Sequence, residues 1–370
     1  MKILHLSHSR EKSGVGEAIR HYQNAMIIAG LDVVSRPIYL NNSTFIPEGK
    51  LLALEQQSAH GCDIAIQHVL PRYMTYNGNY KNIGFYVSET WYKQSPWVNH
   101  LNLMDELWTP TNDFCVQTKR PQYIIPHACN NEEYKANYTR LPSIEKTYNF
   151  YFVGEFTRRK NLAALLKAFH LEFRNEPVNL ILKVTKPGVS GKELFDEIKH
   201  FCDKIKEGLK LRPDRCKSEI VITDYLSRHD LLRLHRSCDC FCNTSYGEAW
   251  SYPTFDAAAM GNFVISNKFG GPRSYLQHYN NSLIIDGVTE PVFAAGQDTV
   301  PELYHGSEYW YSINIEKLRQ AMRFAYKERS KTIQDGIYLA NKYSYEVIGE
   351  AIKQRLLNDQ SSTTITTQIQ

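Results

Sequence analysis

Residues 243–261 read Asn243-Thr244-Ser245-Tyr246-Gly247-Glu248-Ala249-Trp250-Ser251-Tyr252-Pro253-Thr254-Phe255-Asp256-Ala257-Ala258-Ala259-Met260-Gly261. The stretch reads as the end of a strand, a tight turn and the start of a helix. Gly247 supplies the turn and leaves Glu248 exposed beyond the strand end. Pro253 suits the first turn of a helix, where its missing N–H has no intrahelical partner to lose. The free N–H groups at that helix start can hold an anion. Asp256 lies about one turn into the helix. Two carboxylates therefore flank a patch of N–H donors, a pattern that suits a phosphate beside sugar hydroxyls. The plainer alternative is a helix with ordinary acids near its N-terminus.

The same unit recurs outward in both directions. Residues 2–8 predict a strand, followed by Ser13-Gly14-Val15-Gly16-Glu17 and a helix. In that helix Ile19, Tyr22, Ala25, Met26 and Ala29 recur at steps of three and four until Gly30. Further strands are predicted at 31–39, 63–69, 83–88, 106–109 and 123–126. Residues 130–146 are polar and charged and read as a linker. The rhythm restarts with strands at 150–153, 178–184, 219–223, 238–243 and 263–266. Helices at 162–173, 192–211, 230–237, 254–260 and 273–278 alternate with them. A last helix is predicted at 343–357, where Tyr345, Ile348, Ile352 and Leu356 form an apolar stripe that needs a partner surface. Strand–helix alternation of this kind predicts two α/β domains, each a parallel sheet covered by helices. Such sheets bind ligands at the carboxyl ends of their strands, so two of them facing each other enclose a cleft.

The chain has 370 residues, a length for two domains. Its net charge of +4 is too mild, and too evenly spread, for a nucleic-acid footprint. No apolar run approaches the roughly 18 residues that span a bilayer. The N-terminal apolar run is short and broken by His5 and Ser7, unlike a secretory leader. Of the eight cysteines, Cys238, Cys240 and Cys242 alternate on one predicted strand and would share a face. With no Cys-x-x-Cys and no histidine at finger spacing, these are expected to be free thiols of a reducing, cytoplasmic compartment. Residues 359–370 are rich in Ser, Thr and Gln and are expected to form a disordered tail.

Three more segments carry chemistry. Phe152-Val153-Gly154-Glu155-Phe156-Thr157-Arg158-Arg159-Lys160-Asn161-Leu162 leaves a strand and enters a helix with three cations at the junction. Cations there oppose the helix dipole, so an anionic ligand would account for them; a solvated basic turn is the alternative. Gly14 and Gly16 follow the first strand, but Ile19 stands where a dinucleotide fingerprint needs its third glycine. Gly270-Gly271-Pro272-Arg273-Ser274 reads as loop geometry rather than chemistry. Glu89, His68 and His127 fall at predicted strand ends on the cleft side. A lone histidine there is as readily a structural residue.

A Glu followed eight positions later by an acid, with Gly before, Pro between and small residues then Gly after, resembles the Glu-x7-Glu signature of retaining nucleotide-sugar glycosyltransferases of family 4. Here the second acid is Asp256. Lys160 matches the lysine of that family's Gly-Arg-x4-Lys-Gly pattern; Glu155 stands for its arginine and Asn161 for its second glycine. The resemblance implies a GT-B fold, two Rossmann-like domains facing a central cleft. It implies an acceptor domain over 1–140, a nucleotide-sugar domain over 147–340, and the helix at 343–357 packing back on the first. It implies hexose transfer, with retention, from a nucleoside diphosphate sugar to a hydroxyl of a glycan, lipid-linked sugar or small molecule. Glu248, Lys160, Arg159 and Glu89 are the catalytic candidates. Gly14, Gly16, Arg158, Ala249, Trp250, Ser251, Tyr252 and Asp256 are the donor-binding candidates, and His68 and His127 the acceptor-side candidates. No Asp-x-Asp occurs, so no metal or other cofactor is expected. No nucleic-acid partner is expected either; peripheral contact with a membrane surface stays open. The competing readings are another GT-B enzyme, an epimerase or phosphorylase, and a non-catalytic nucleotide-sugar binding protein.

Overall fold

The computed structural model describes residues 1–40, 45–93, 95–212, 216–294, 303–328 and 336–358. The expected tail at 359–370 lies outside them. The first half alternates β1 (Lys2–Ser7), α1 (Gly14–Ile28), β2 (Asp32–Pro37), α2 (Gly49–Gln56), β3 (Ile64–His68), β4 (Lys81–Phe85), α3 (Ser95–Leu101), β5 (Glu106–Thr109) and β6 (Gln122–Ile124). A short helix, α4 (Asn131–Lys135), sits in the linker. The second half begins with β7 (Tyr148–Glu155), α5 (Leu162–Glu172), β8 (Val178–Thr185), α6 (Gly191–Gly208) and β9 (Ile220–Ile222). It continues with α7 (Arg228–Ser237), β10 (Cys240–Asn243), α8 (Tyr252–Ala259), β11 (Phe263–Asn267), α9 (Gly271–Leu276) and β12 (Ser282–Ile285). Then come β13 (Gly287–Pro291), β14 (Tyr309–Ile313), α10 (Ile315–Lys327), α11 (Ile337–Lys342) and α12 (Tyr345–Asn358).

Two six-stranded sheets result, ordered β2-β1-β3-β4-β5-β6 and β12-β11-β10-β7-β8-β9. Every pairing in both is parallel. The inner strands, such as β3, β5, β8 and β10, are buried on both faces and read as apolar runs rather than alternating ones, whereas the edge strands β6, β9 and β12 are only partly covered. Strand order reverses between β1 and β3 in the first sheet and between β7 and β10 in the second. Loops diverge to opposite faces at such a point and open a crevice at the carboxyl ends. The loops after β7 and β10 hold the two charged motifs; Gly14 and Gly16 open the helix that follows β1, and His68 is the last residue of β3.

The second domain is larger than the strand pattern alone predicts. After β12 an antiparallel hairpin, β13–β14, is added, and α10 covers α5 with Leu318, Ala321, Met322 and Ala325. That spacing is one buried helical face. The cysteine expectation needs a correction in detail. Cys240 and Cys242 share a face of β10, but the strand starts only at Cys240, and Cys238 joins the other core with Phe241. All eight cysteines are free.

The last helix leaves the second domain and lies against α1. Ile348, Ile352 and Leu356 are its buried stripe. Gly349 is required at the crossing, because a Cβ there would stand 2.2 Å from the Ala25 carbonyl oxygen. Tyr345 hydroxyl and His21 Nδ1 are 2.6 Å apart, Lys353 Nζ donates to Ala29 O at 3.2 Å, and Arg355 pairs with Glu106 at 2.6 Å. Ser344 marks the break between α11 and α12, its side-chain oxygen accepting from Val347 N at 3.4 Å. Among the described residues no helix is long and apolar enough to cross a membrane.

Candidate functional site

The turn after β7 is a single 3-10 turn, Arg158–Lys160, closed by Asn161 at φ 49°. The left-handed region is costly for most side chains but open to Gly and Asn, so Asn161 closes the turn without a glycine. This turn sends its cations in two directions. Arg158 is exposed and lies over the Tyr246 ring, 5.4 Å from its centroid. Arg159 and Lys160 point to the loop after β10, where Lys160 Nζ donates to Glu248 Oε1 at 2.6 Å. Arg159 reaches the same carboxylate oxygen at 3.1 Å and donates to Gly247 O at 2.7 Å.

The opposite wall comes from the first domain. The loop after β4 brings Glu89 Oε1 to 3.1 Å from Arg159. Tyr304 donates its hydroxyl to the other Glu89 oxygen. Gly247 is the close approach between the walls: a Cβ there would sit 1.9 Å from Glu89 O. Gly271 packs behind, donating its N–H to Glu248 O at 2.7 Å. Burial alone would raise the Glu248 carboxyl, but the adjoining Lys160 and Arg159 hold it well below the usual carboxylate range. Arg159 is driven higher still; its burial is outweighed by Glu89 and Glu248. Two basic and two acidic side chains thus meet at the second sheet's switch point.

Other candidates lie apart from this cluster. Asp256, in the first turns of α8, is buried and paired with Arg228 through Nη1–Oδ2 at 2.5 Å and Nη2–Oδ1 at 3.1 Å. Tyr134 donates to Asp256 Oδ1 at 2.6 Å, and Arg228 Nε donates to Glu133 at 2.8 Å. The carboxylate therefore ties α8 and α7 to the linker helix, and neither of its oxygens is left over. Trp250 and Tyr252 are buried between the domains, Tyr252 stacked on His127 at 5.5 Å and bonded to Ala128 O at 3.0 Å. Ala249 is buried beside them, and Ser251 takes φ 67° with its hydroxyl 2.8 Å from that of Thr254. Of the two N-terminal glycines only Gly16 is sterically required, its Cβ position lying 2.1 Å from Glu11 O; the space at Gly14 is open.

His68 stacks on Phe85 at 4.1 Å, and His127 Nδ1 lies 2.8 Å from the Tyr22 hydroxyl. Both are buried and kept neutral: burial takes His127 down to about 3 and His68 well below its ordinary value, the neighbouring histidines adding to the effect. Arg228 and Tyr304 are the site-forming residues that the sequence did not flag. Arg228, the first residue of α7 directly after its Ser227 cap, carried only the weak signal of an arginine where a helix N-terminus disfavours it. Cavities of about 310 and 360 Å³ flank Asp239 at the amino ends of the second sheet, away from the charged cluster.

Burial fixes a pH dependence. His5 is lowered to about 4, His127 to about 3 and His235 to about 4. The unfolded chain takes up these protons from about pH 6.5 downward, whereas the folded chain does not until about pH 4 for His5 and His235 and about pH 3 for His127. Stability is therefore full above pH 6.5 and should fall by about 3 kcal/mol per histidine as pH drops to 4. Urea unfolding at pH 7.5, 6 and 5 measures this; a flat profile would contradict the buried neutral assignment.

Two parallel-sheet Rossmann-like domains meeting at their switch points, with the last helix returned to the first, define the GT-B fold. Residues 135–300 match the family model of Glycosyl transferases group 1, a span that contains Arg159, Lys160, Glu248 and Asp256 but not Glu89. The chain is similar to sucrose-phosphate synthase from Thermosynechococcus elongatus (TM-score 0.65, 14% identity, 98% of this chain and 100% of that one). It is similar to Anabaena HepE in complex with UDP-glucose (TM-score 0.64, 14% identity, 97% and 100%). It is also similar to the trehalose-6-phosphate synthase OtsA (TM-score 0.61, 12% identity, 98% and 100%). At these identities the likeness is one of fold. No curated protein matches the chain by sequence.

Proposed function

We propose that the protein is a retaining glycosyltransferase of family 4 type that moves a hexose from a nucleoside diphosphate sugar to an acceptor hydroxyl. The observation that carries this reading is the meeting of Arg159, Lys160 and Glu248 where the second sheet's strand order reverses. Breaking the bond between C1 and the phosphate oxygen puts negative charge on the leaving diphosphate. Fixed cations in a partly dry cleft stabilise that charge without reorganising. Arg159 and Lys160 are placed to do so, and Glu248 to accept hydrogen bonds from the sugar hydroxyls. The acceptor, a carbohydrate or lipid-linked sugar, enters from the first domain. Its oxygen attacks C1 on the face the diphosphate leaves, and its proton passes to the leaving phosphate oxygen, so configuration is kept. Asp256 acts as a positioning residue, holding the starts of α7 and α8 against the linker through Arg228. Because protein cations supply the charge, no metal is required.

The test is thermal stabilisation in excess EDTA across UDP-, GDP-, ADP- and dTDP-glucose, followed by NMR of the transfer product. One donor should raise the melting temperature by about 3–5 °C, since a ligand bound only to the folded chain stabilises it. The product should keep the donor's anomeric configuration. Stabilisation by none of the four would overturn the donor assignment, and an inverted product the retaining mechanism.

A further inference from the structure

The loop at 88–93, after β4, is fastened to the second domain along its length. Thr90 Oγ1 donates to Glu308 Oε2 at 2.6 Å, and Lys93 Nζ donates to the same oxygen at 2.9 Å and to Leu303 O at 2.6 Å. Lys93 and Glu308 are almost fully buried, with side chains 2% and 3% exposed. Trp91 and Tyr309 exchange backbone hydrogen bonds at 3.1 and 3.3 Å. The loop is thus a strap between the domains, pressed flush against the Gly247 turn.

Glu89 is the side chain of this strap that reaches the catalytic cations. One of its oxygens is 3.1 Å from Arg159 Nη1 and the other accepts from Tyr304. The same Arg159 nitrogen also serves Glu248 and the Gly247 carbonyl. Arg159 and Lys160 carry two positive charges, and Glu89 and Glu248 cancel both. Glu248 lies on the same domain as the cations and is bound to Lys160. Glu89 comes from the other domain, and one atom of it meets the guanidinium. A further anion arriving at Arg159 competes with Glu89 more readily than with Glu248.

We propose that Glu89 is the built-in counter-anion of the diphosphate site, a carboxylate that holds Arg159 and must yield the guanidinium when the donor's diphosphate binds. This rests on the glycosyltransferase reading above. Glu89 then sets the affinity for the nucleoside diphosphate, in the donor before transfer and in the product after it, and so keeps the product from binding too tightly to leave. Its two anchors, Tyr304 and the strap, return it to Arg159 once the site empties.

Titration calorimetry of wild type, E89Q and E89A with UDP, GDP, ADP and dTDP, and with the four matching uncharged nucleosides, tests this. Removing the carboxylate charge should tighten the preferred diphosphate by about tenfold in both variants and leave its nucleoside unchanged. A variant that merely loosens the strap would weaken diphosphate and nucleoside together, and that result overturns the proposal. So does a diphosphate affinity that is unchanged or lower in folded E89Q or E89A, folding being checked by melting temperature. If wild type binds none of the four diphosphates, the donor reading itself fails and this inference falls with it, an outcome visible before any variant is measured.

Discussion

Lys160→Ala should lower kcat by about 100- to 1,000-fold, the range seen when one preorganised charge-stabilising donor is removed from an active site. Lys160 Nζ lies 2.6 Å from Glu248 at the mouth of the second sheet's crevice, on a turn whose shape Asn161 locks. Its charge is most useful when the diphosphate departs, so kcat should suffer more than KM. The fold should survive the change, because Glu248 keeps Arg159 at 3.1 Å and the lysine side chain is not part of either core. Steady-state kinetics with the donor found by thermal shift, alongside a melting curve, separate the two effects. Turnover within twofold of wild type would remove Lys160 from the phosphate site, and with it the main support for the mechanism.

The largest effect on stability is expected at the linker. Arg228→Met should cost about 3 kcal/mol, because it strands a buried carboxylate. Asp256 has a side chain only 1% exposed and depends on Arg228 for two of its contacts. Burial by itself would raise the Asp256 carboxyl; Arg228 holds it below the ordinary value. The stability this pair gives is present above the unfolded pKa near 4 and is lost as pH falls through the folded one. Without the arginine the sign reverses: Asp256 becomes harder to ionise, and the variant's deficit should shrink on acidification as the carboxyl takes up its proton. Arg228→Met combined with Asp256→Asn should recover part of the loss, since no buried charge is then left unpaired. Urea unfolding at pH 7.5 and pH 5 reads all three expectations. A single variant within 1 kcal/mol of wild type at pH 7.5 would mean that the pair is not a structural anchor.

What the sequence determined by itself is local. The inner strands of the two sheets are apolar runs because they are covered on both faces, and helices such as α6 and α10 show a 3.6-residue stripe because only one face is covered. The alternation is therefore written in the residues, from the strand and helix around Gly14 and Gly16 to those around Glu248. The charged motifs were legible for the same reason: Lys160 and Glu248 each sit in a strand–turn–helix unit whose geometry depends on its own few residues, Asn161 and Gly247 among them. The helix at 315–327 carried as clear a stripe in Leu318, Ala321, Met322 and Ala325, yet what it would cover depended on where α5 lay. Only the tertiary structure decided which distant groups became partners. Asp256 offers the same carboxylate in the sequence whether it faces a ligand or Arg228, and its hydrogen-bond partner Tyr134 lies 122 residues away. Glu89 meets Arg159 because two sheets with reversed strand order turn their carboxyl ends toward each other, and Tyr304 reaches Glu89 from 215 residues away. An apolar stripe states that a surface must be covered; an ionised side chain states that a counter-charge must be near. Neither names its partner, because adjacency across domains is set by how the sheets are ordered and packed, and that is a property of the whole chain.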